Sequence, residues 1–367
     1  MDFIITATRS MRTYAARVVE QLLKFPEFNH VKNGSSINAV QVLKTDSFAD
    51  GEMEVVIEES IRGKDVILFT SCARNEENIS VNEAKIELYH TIDALKRGQA
   101  RKIIVFEPYV SCSRSDRTAR RSSVGLWCHL KTLAGLGMEH FITYQLHSDK
   151  SKSMLDPNVC VIDDIPGHTL LKRYLCDTYI RNKEFLVNEV RPQWAFCSVD
   201  AGGEKLARDF ANAFGAPLVV AHKQRDYTKV NTIESVNILS AEPLAGKILW
   251  IVDDMIDTGG SVKSLIRSLA DHKPKEINII IMHALFSNPA PAVLNQFTSE
   301  GLLNRIVASD TVYHPCLTNQ IANLEVVPSA NLSAKIIKNI VTNSPMSKLF
   351  KAFNVEKYLA SQKLFNG

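Results

Sequence analysis

The sequence predicts an α/β fold with two tandem domains, each built on a doubly wound parallel sheet. Short, almost continuously apolar runs rich in Ile, Val and Phe alternate along the chain with amphipathic stretches. Such runs are typical of strands buried on both faces of a parallel sheet. Their alternation with helical patterns indicates βαβ units. A chain of 367 residues is also long enough for about two domains.

Eight runs are predicted strands, four in each half of the chain. They are Phe3–Thr6, Val66–Thr70, Ile103–Phe106, Phe141–Tyr144, Trp194–Cys197, Leu218–Ala221, Ile248–Val252 and Ile277–Met282. Apolar residues at steps of three and four predict two of the intervening helices. One runs from Val81 to Leu95 and ends at Gly98, and the other follows Ser261.

The predicted domain boundary lies near Asp163–Gly167, where turn-forming residues precede a new helical run. We therefore expect an N-terminal domain over residues 1–164, a C-terminal domain over 165–330 and a helical extension over 331–367. Within this extension, the spacing from Lys348 to Leu359 predicts a helix that could dock on a neighbouring subunit. A faint likeness between Lys102–Ser148 and Lys247–Ser287 is compatible either with duplication of one half or with chance.

Composition narrows the class of protein. Hydrophobic residues make up 45% and charged residues 23%, as in a globular protein with a sizeable core. The net charge of +3 gives no general attraction to nucleic acid or to a membrane surface, and we expect neither as a partner. Seven cysteines without a Cys-x-x-Cys pair favour reduced core thiols over zinc ribbons or disulfides. With no secretory signal visible, we expect a cytoplasmic protein.

The strongest chemical signal is the segment Ile248–Ser261, in which a buried strand leads into acids and then glycines. The acids are Asp253, Asp254 and Asp257, and the sequence Thr258-Gly259-Gly260-Ser261 opens the next helix. Glycines and a helix N-terminus favour a phosphate, and Thr258 and Ser261 are expected to cap the helix. Carboxylates would repel a lone phosphate, but they suit sugar hydroxyls or a divalent cation. The pattern favours a phosphorylated ribose over a capped helix with surface acids.

This segment resembles the phosphoribosyl-pyrophosphate loop of type I phosphoribosyltransferases and of ribose-phosphate pyrophosphokinases. Four other segments resemble pyrophosphokinase motifs and occur in that family's order. They are Phe48-Ala49-Asp50-Gly51-Glu52, Leu146-His147-Ser148, Ser198-Val199-Asp200-Ala201-Gly202-Gly203 and His222-Lys223-Gln224-Arg225. The sequence is identified on these motifs as an atypical member of the ribose-phosphate pyrophosphokinase family, with two domains of the type I phosphoribosyltransferase kind.

The resemblance implies transfer of pyrophosphate from ATP to O1 of ribose 5-phosphate, which releases AMP. It implies that Lys223 and Arg225 are catalytic and that Mg²⁺ is bound by His147 and Asp200. It also implies a homodimer or homohexamer, because one subunit's hairpin motif contacts its neighbour's nucleotide. The implied ribose 5-phosphate ligands are Asp200, Gly202, Gly203, Asp253, Asp254, Asp257, Thr258, Gly259, Gly260 and Ser261. The implied ATP ligands are Phe48, Asp50, Glu52, Arg114 and His147.

Two departures from the family pattern leave alternatives open. Ser111-Cys112-Ser113 stands where the family has an Arg and a Gln that hold ATP, and four arginines follow at 114, 117, 120 and 121. Arg114 or Arg117 is a candidate to bind the ATP phosphates instead, although the run also suits a solvated face or a regulator site. Gln145 replaces an acid that commonly precedes the metal-binding His. The alternative functions are a silent regulatory homologue of active synthetase subunits and a phosphoribosyltransferase.

Overall fold

The computed structural model describes residues 2–33, 42–73, 75, 77–118, 121–225, 233–312, 314 and 316–362. The strands are β1 (Phe3–Ala7), β2 (Leu43–Ser47), β3 (Met53–Ile57), β4 (Asp65–Phe69), β5 (Lys102–Phe106), β6 (His140–Tyr144), β7 (Val161–Ile165), β8 (Trp194–Ser198), β9 (Leu218–Arg225), β10 (Ile233–Ser240), β11 (Ile248–Ile256), β12 (Glu276–Ala284), β13 (Arg305–Ser309) and β14 (Leu324–Val327). The α-helices are α1 (Arg12–Leu22), α2 (Val81–Arg97), α3 (Gly125–Leu136), α4 (His168–Tyr179), α5 (Lys183–Phe185), α6 (Arg191–Gln193), α7 (Glu204–Phe214), α8 (Gly260–Ala270), α9 (Ala290–Ser299), α10 (Leu317–Gln320), α11 (Ala330–Val341) and α12 (Val355–Gln362).

The chain divides into two compact units. The first comprises residues 1–166, 311–314 and 328–351, and the second comprises 167–310, 315–327 and 352–367. The first division follows Pro166, two residues beyond the boundary expected from the sequence. Residues 331–367, expected to form a separate extension, are shared between the two units because α11 belongs to the first and α12 to the second.

The first unit contains a parallel sheet in the order β1-β4-β5-β6-β7 and a separate antiparallel hairpin of β2 and β3. Alternate residues of its strands point to opposite faces. Leu68 and Val105 pack with residues of α2 and α3 on one face. Phe69 and Phe106 point to the other face, where Phe69 contacts Tyr14 of α1. Helices therefore cover both faces of this sheet.

Helix α11 joins the first unit through hydroxyl groups as well as apolar contacts. Ser333 on α11 lies 2.8 Å from the Tyr14 hydroxyl and 2.7 Å from the Tyr144 hydroxyl. Ser329, just before α11, lies 2.7 Å from the same Tyr14 oxygen. All four side chains are buried, so these bonds satisfy polar atoms that would otherwise be costly to bury.

The second unit contains a larger sheet in the order β10-β9-β8-β11-β12-β13-β14. Its strands are parallel except β10, which pairs antiparallel with β9. From β8 the chain first moves to β9 on one side and later returns to β11 on the other. The order therefore reverses between β8 and β11, which is where open α/β sheets bind ligands.

Both faces of the second sheet are also covered by helices. Ile251 and Ile279 belong to the core formed with α8 and α9 on one face. On the other face, Phe196 stacks on Phe214 of α7 with ring centroids 5.3 Å apart, and Trp250 packs against Trp194. The predicted α/β class with parallel sheets is confirmed in both units.

Several predicted boundaries are wrong. Strand β11 continues through Asp253 and Asp254 to Ile256, whereas we expected it to end at Val252. Strand β7 covers the acidic stretch that was interpreted as part of a turn. The eight predicted strands are present, but β2, β3, β7, β10, β13 and β14 were not predicted.

The C-terminal segment also differs from its prediction as one continuous helix. A short 3₁₀ turn at Ser347–Leu349 precedes a break, and α12 begins only at Val355. Tyr358 of α12 donates its hydroxyl to Asp177 of α4 at 2.6 Å, and Glu356 pairs with Arg191 at 2.7 Å. Helix α12 thus packs within its own chain. No helix in the described ranges has the length and apolar character needed to span a membrane.

Candidate active site

The strand reversal in the second unit places two predicted ligand loops side by side. The loop after β8 carries Asp200, and β11 carries Asp253 and Asp254 near its carboxyl end. These strands pair in parallel from Trp194 with Ile248 to Ser198 with Val252. Their carboxyl ends consequently lie at the same edge of the sheet, and the acids of both loops share that edge.

The acids of this edge influence each other electrostatically. Burial raises the pKa of Asp253 well above its usual range, and the neighbouring negative charges of Asp254 and Asp200 add to the effect. The backbone N–H of Asp254 donates to Asp253 Oδ1 at 2.9 Å, and this hydrogen bond partly offsets the rise in the pKa of Asp253. Three carboxylates crowded in this way can accept hydrogen bonds from sugar hydroxyls or bind a cation.

The loop Asp200–Gly203 is organised by its own carboxylate. Oδ1 of Asp200 accepts a hydrogen bond from the Gly203 N–H at 3.1 Å. A Cβ at Gly202 would lie 3.2 Å from the same oxygen, so the loop has little room there for a side chain. This arrangement fixes the Asp200 carboxylate just before α7, which begins at Glu204.

The glycine loop beyond β11 forms the N-terminus of α8 differently from the expectation. The cap residue is Gly259, with φ of +79°, and no side chain caps the helix. The expected capping by Thr258 or Ser261 is therefore wrong. A Cβ at Gly260 would meet no atom within 4 Å. First-turn amides without a side-chain cap, next to open space, can receive an anion.

Lys223 and Arg225 lie at the end of β9 and not in an irregular loop. The backbone pairs Lys223 with Val236 and Arg225 with Ile233 of β10. Strand β9 adjoins β8, and β8 precedes the Asp200 loop. Their side chains lie outside what the structure describes, so their predicted catalytic role stays a prediction.

In the first unit, Phe48, Asp50 and Glu52 form the turn between β2 and β3. The N–H of Phe48 donates to the Glu52 carbonyl at 2.8 Å, and the Glu52 N–H donates to Asp50 Oδ1 at 3.0 Å. Gly51 has φ of +93°, which a side chain would disfavour. Phe48 is 54% exposed, so the hairpin presents an aromatic ring to solvent with both carboxylates beside it in sequence.

His147 is exposed in a loop that follows β6 and is held by β7. Gln145, with φ of +46°, donates its N–H to the Ile165 carbonyl at 3.1 Å. The Leu146 N–H donates to Asp164 Oδ1 at 2.9 Å. Asp164 was missed as a site residue because it was interpreted as part of a turn. Through its bond to Leu146, Asp164 brings a carboxylate to the loop of His147. Gln145, which stands where the family commonly has an acid, does not supply one.

Arg114 is exposed in the loop after β5, at the same sheet edge as the His147 loop. Backbone turns hold this loop, with the Ser115 N–H donating to the Cys112 carbonyl at 2.7 Å. Arg117 and Arg121 are exposed as well, and Arg120 lies outside the described residues. The predicted ATP ligands therefore all lie in the first unit. The predicted ribose 5-phosphate ligands all lie in the second.

Comparison with known proteins decides the family. Residues 3–137 match the family model for the N-terminal domain of ribose phosphate pyrophosphokinase, and residues 179–310 match the phosphoribosyl transferase domain. The chain is 32% identical over 305 residues to a ribose-phosphate pyrophosphokinase of Mycoplasma pneumoniae, covering 83% of this chain and 86% of that protein. The chain belongs to the ribose-phosphate pyrophosphokinase family. This confirms the family that the sequence motifs predict.

A second relative agrees with this assignment, and a solved structure allows the fold to be compared. A ribose-phosphate pyrophosphokinase of Porphyromonas gingivalis is 30% identical over 309 residues, covering 84% of this chain and 89% of that protein. The crystal structure of phosphoribosylpyrophosphate synthetase from Mycobacterium smegmatis superposes with a TM-score of 0.76 at 24% identity. That match covers 94% of this chain and all of the other, and it shows the same fold.

Proposed function

We propose that this protein transfers the pyrophosphoryl group of ATP to O1 of ribose 5-phosphate, giving phosphoribosyl pyrophosphate and AMP. The observation that carries the proposal is the ligand edge at the strand reversal between β8 and β11. There, acids and an N-terminus of α8 without a side-chain cap lie together. Membership of the pyrophosphokinase family supports the same reaction.

Ribose 5-phosphate suits this edge because its two ends have opposite requirements. Asp200, Asp253 and Asp254 accept hydrogen bonds from its hydroxyl groups. The 5-phosphate binds the amides of Gly260 and Ser261, with Thr258 and Ser261 as hydroxyl donors. Gly202, Gly203, Asp257 and Gly259 shape the loops around it. Because the acids are separate from the N-terminus of α8, the hydroxyl groups can bind the acids while the 5-phosphate binds the amides. The phosphate then stays away from the carboxylates.

ATP is assigned to the first unit. The exposed ring of Phe48 offers a stacking surface for adenine, and Asp50 and Glu52 offer acceptors for its amino group. Arg114 is exposed and carries a guanidinium, which suits a phosphate oxygen. His147 and Arg114 follow neighbouring parallel strands, and this shared sheet edge supports assigning both to the phosphate chain.

Magnesium fits the chemistry of the acidic residues. Carboxylate oxygens are the protein ligands that Mg²⁺ prefers, and burial together with repulsion from Asp254 and Asp200 raises the pKa of Asp253. A cation would relieve that repulsion. On the family resemblance we assign Asp200 and His147 to Mg²⁺ binding, and because Mg²⁺ prefers oxygen ligands, phosphate and water supply most of the coordination. When bound, Mg²⁺ supplies positive charge to the phosphate oxygens.

The reaction requires ribose O1 to attack the β-phosphorus of ATP. The new O1–phosphorus bond forms as the bond between the β-phosphorus and the oxygen shared with the α-phosphate breaks, and O1 loses its proton to solvent. AMP leaves with that oxygen. We assign Lys223 and Arg225 to stabilise the charge that develops on the phosphate oxygens. Ordering both substrates supplies much of the remaining rate enhancement.

A homo-oligomer in the cytoplasm, either a dimer or a hexamer, completes this proposal. In this proposal the exposed Phe48 hairpin contacts the nucleotide of a neighbouring subunit, so a single chain would have an incomplete ATP site. Mass measurement in solution tests this part separately. A stable monomer with full activity would contradict it.

The deciding experiment mixes the protein with ATP, Mg²⁺ and ribose 5-phosphate and quantifies AMP and phosphoribosyl pyrophosphate. We expect equimolar products, and none when ribose 5-phosphate is omitted. Lys223→Ala should lower kcat at least about a hundredfold, since lost transition-state charge stabilisation commonly has that effect. The matched control is Lys275→Ala, an exposed Lys before the amino end of β12, which should leave kcat unchanged.

The same assay separates the alternatives. Absence of product from the protein alone, with activity only on addition of another pyrophosphokinase subunit, would identify a regulatory homologue. The Ser111–Ser113 departure is the feature that favours this second candidate. Pyrophosphate release from phosphoribosyl pyrophosphate and a base, without ATP, would identify a phosphoribosyltransferase. Either result overturns the proposed reaction.

A further inference from the structure

A buried cluster of Cys72, Glu107 and His129 lies outside the proposed substrate sites. Cys72 follows β4, Glu107 directly follows β5, and His129 lies on α3. Their relative exposures are 0%, 0% and 1%. The potential ligand atoms of the three side chains all lie within 4.8 Å of one another. Among the described residues, this is the one group of three or more such side chains that meets that condition.

Hydrogen bonds fix the orientation of the Glu and the His. Glu107 Oε2 lies 3.1 Å from His129 Nε2, and Oε1 accepts from the N–H groups of Cys72 and Ser111 at 3.4 Å each. The Tyr89 hydroxyl lies 3.1 Å from His129 Nδ1. Metal-binding imidazoles usually have such a partner on the ring nitrogen that does not bind the metal.

We propose that Cys72 Sγ, a Glu107 carboxylate oxygen and His129 Nε2 bind one Zn²⁺. With bond lengths of about 2.0–2.3 Å and tetrahedral angles, zinc ligands lie roughly 3.3–3.6 Å apart. The Glu107–His129 separation of 3.1 Å is already close to this value, and no pair is wider than 4.8 Å, so shifts of roughly 1 Å suffice. Zinc replaces the hydrogen bond between these two side chains, and His129 Nδ1 then carries the proton donated to Tyr89.

Charge balance favours zinc in this buried position. On binding, the Cys72 thiol releases its proton to solvent and His129 stays neutral. A thiolate, a carboxylate and Zn²⁺ sum to zero charge, which limits the cost of burying each ion. The thiolate and imidazole also select zinc over Mg²⁺, which prefers oxygen ligands.

A catalytic cysteine is not supported by the same geometry. An imidazole that activates a thiol must be able to take its proton, but both His129 nitrogens already have partners in Glu107 and Tyr89. The Cys72 side chain is also fully buried. The site instead joins α3 to the segments that follow β4 and β5. It also contacts the loop that carries Arg114, since the N–H of Ser111 in that loop donates to Glu107. Zinc would thereby order this loop.

The test measures metal in the full chain, purified without chelator and without a polyhistidine tag. Mass spectrometry of the metal should find about one zinc per chain, and Cys72→Ser and His129→Gln should each retain less than about a tenth of that. Cys128→Ser is the matched control, since Cys128 is exposed and adjacent to His129 in sequence. It should retain the zinc.

Cobalt provides a second measurement that does not depend on catalysis. Replacement of zinc by Co²⁺ in the wild-type chain should give a thiolate-to-cobalt charge-transfer band that Cys72→Ser lacks. The wild-type chain should also unfold at a lower temperature after chelation, which needs no substitution. The proposal is overturned if the wild-type protein contains no zinc and takes up none from an equimolar solution. Equal zinc in Cys72→Ser, His129→Gln and the control would also overturn it.

Discussion

The carboxylate of Asp164 accepts a hydrogen bond from the backbone N–H of Leu146 at 2.9 Å, one residue before His147. The other Asp164 oxygen pairs with Lys152 at 3.3 Å. Asp164 is buried and lies on β7, so it joins the edge strand to the loop that carries the proposed metal ligand. We therefore expect Asp164 to position His147 through the backbone of Leu146.

Replacing Asp164 should impair this loop. Asp164→Ala leaves the buried Leu146 N–H unsatisfied, which should lower the free energy of unfolding by about 1–3 kcal/mol. We expect the KM for ATP to rise more than the KM for ribose 5-phosphate. Urea denaturation and steady-state kinetics measure the two effects. Asp163→Ala is the control, because Asp163 pairs with His140 instead, and its KM for ATP should not change.

Gly259 should be sensitive to a single added methyl group. Its φ of +79° is unfavourable for other residues, so Gly259→Ala should lower the free energy of unfolding by about 1–2 kcal/mol. Gly135→Ala, at a helical position of α3 with open space around it, should instead raise it by about 0.5–1 kcal/mol. Equal unfolding free energies for Gly259→Ala and the unchanged chain would contradict the left-handed conformation.

Asp253→Asn should stabilise the ligand-free protein while weakening substrate binding. The raised pKa of Asp253, caused by burial and then by Asp254, means that the folded state holds this proton more tightly than the unfolded chain. The resulting penalty is absent below the unfolded pKa, near pH 4, and grows as pH rises through the folded pKa. The gain from Asp253→Asn should therefore be larger at pH 8 than at pH 4 in thermal unfolding.

The accompanying loss of affinity can be estimated separately. A hydrogen bond to a charged group contributes about 1.5–3 kcal/mol, so Asp253→Asn should weaken ribose 5-phosphate binding about ten- to hundredfold. Calorimetry measures this directly. Asp271→Asn removes an exposed carboxylate after α8 and should leave the affinity unchanged. An unchanged affinity in Asp253→Asn would remove this residue from the proposed site.

We expect the ion pair of Asp209 with Lys172 to make the free energy of unfolding fall in acid. Burial alone would raise its pKa, but the His168 hydrogen bond and the Lys172 ammonium outweigh burial and lower the pKa to about 2. Because the folded pKa lies below the usual value, this stabilisation is present above about pH 4 and is lost as pH falls towards 2. Unfolding free energies measured across this range should decrease accordingly.

The same pair can be tested by substitution. Asp209→Asn leaves the buried Lys172 ammonium without its carboxylate and should lower the free energy of unfolding by about 2 kcal/mol. This value is below the range for fully buried pairs because Asp209 is 37% exposed. Adding Lys172→Met should recover most of the loss. A double variant as unstable as Asp209→Asn would show that the ammonium is not the cause.

The strands that the sequence predicted are those with continuous apolar runs. The edge strands β7, β10 and β14 were missed because their sequences include polar residues such as Asp163, Asn237 and Glu325, whereas the wholly buried edge strand β1 was predicted. These strands lack the continuous apolar sequence, typical of strands buried on both faces, by which β4 and β12 were predicted. Apolar continuity thus identified the most apolar strands, including β1 at the edge of its sheet, but it missed the short interior strand β13.

The motifs locate the predicted site loops along the chain but specify little of their local geometry. Capping by Thr258 or Ser261 was plausible from residue type, yet the left-handed Gly259 became the cap. The role of Asp164 depends on pairing between β6 and β7, which local patterning does not specify. The Cys72 cluster likewise forms from residues on three separate elements, so no sequence spacing indicates it.

The assignment of α11 to the first unit determines how this protein can be divided. A fragment ending at Pro166 would lose Ser333, leaving the hydroxyls of Tyr14 and Tyr144 without that partner and one apolar surface of α1 uncovered. Such a fragment should aggregate when expressed alone. Supplying residues 328–351 through a flexible linker, or as a separate peptide, should restore an independently folding half.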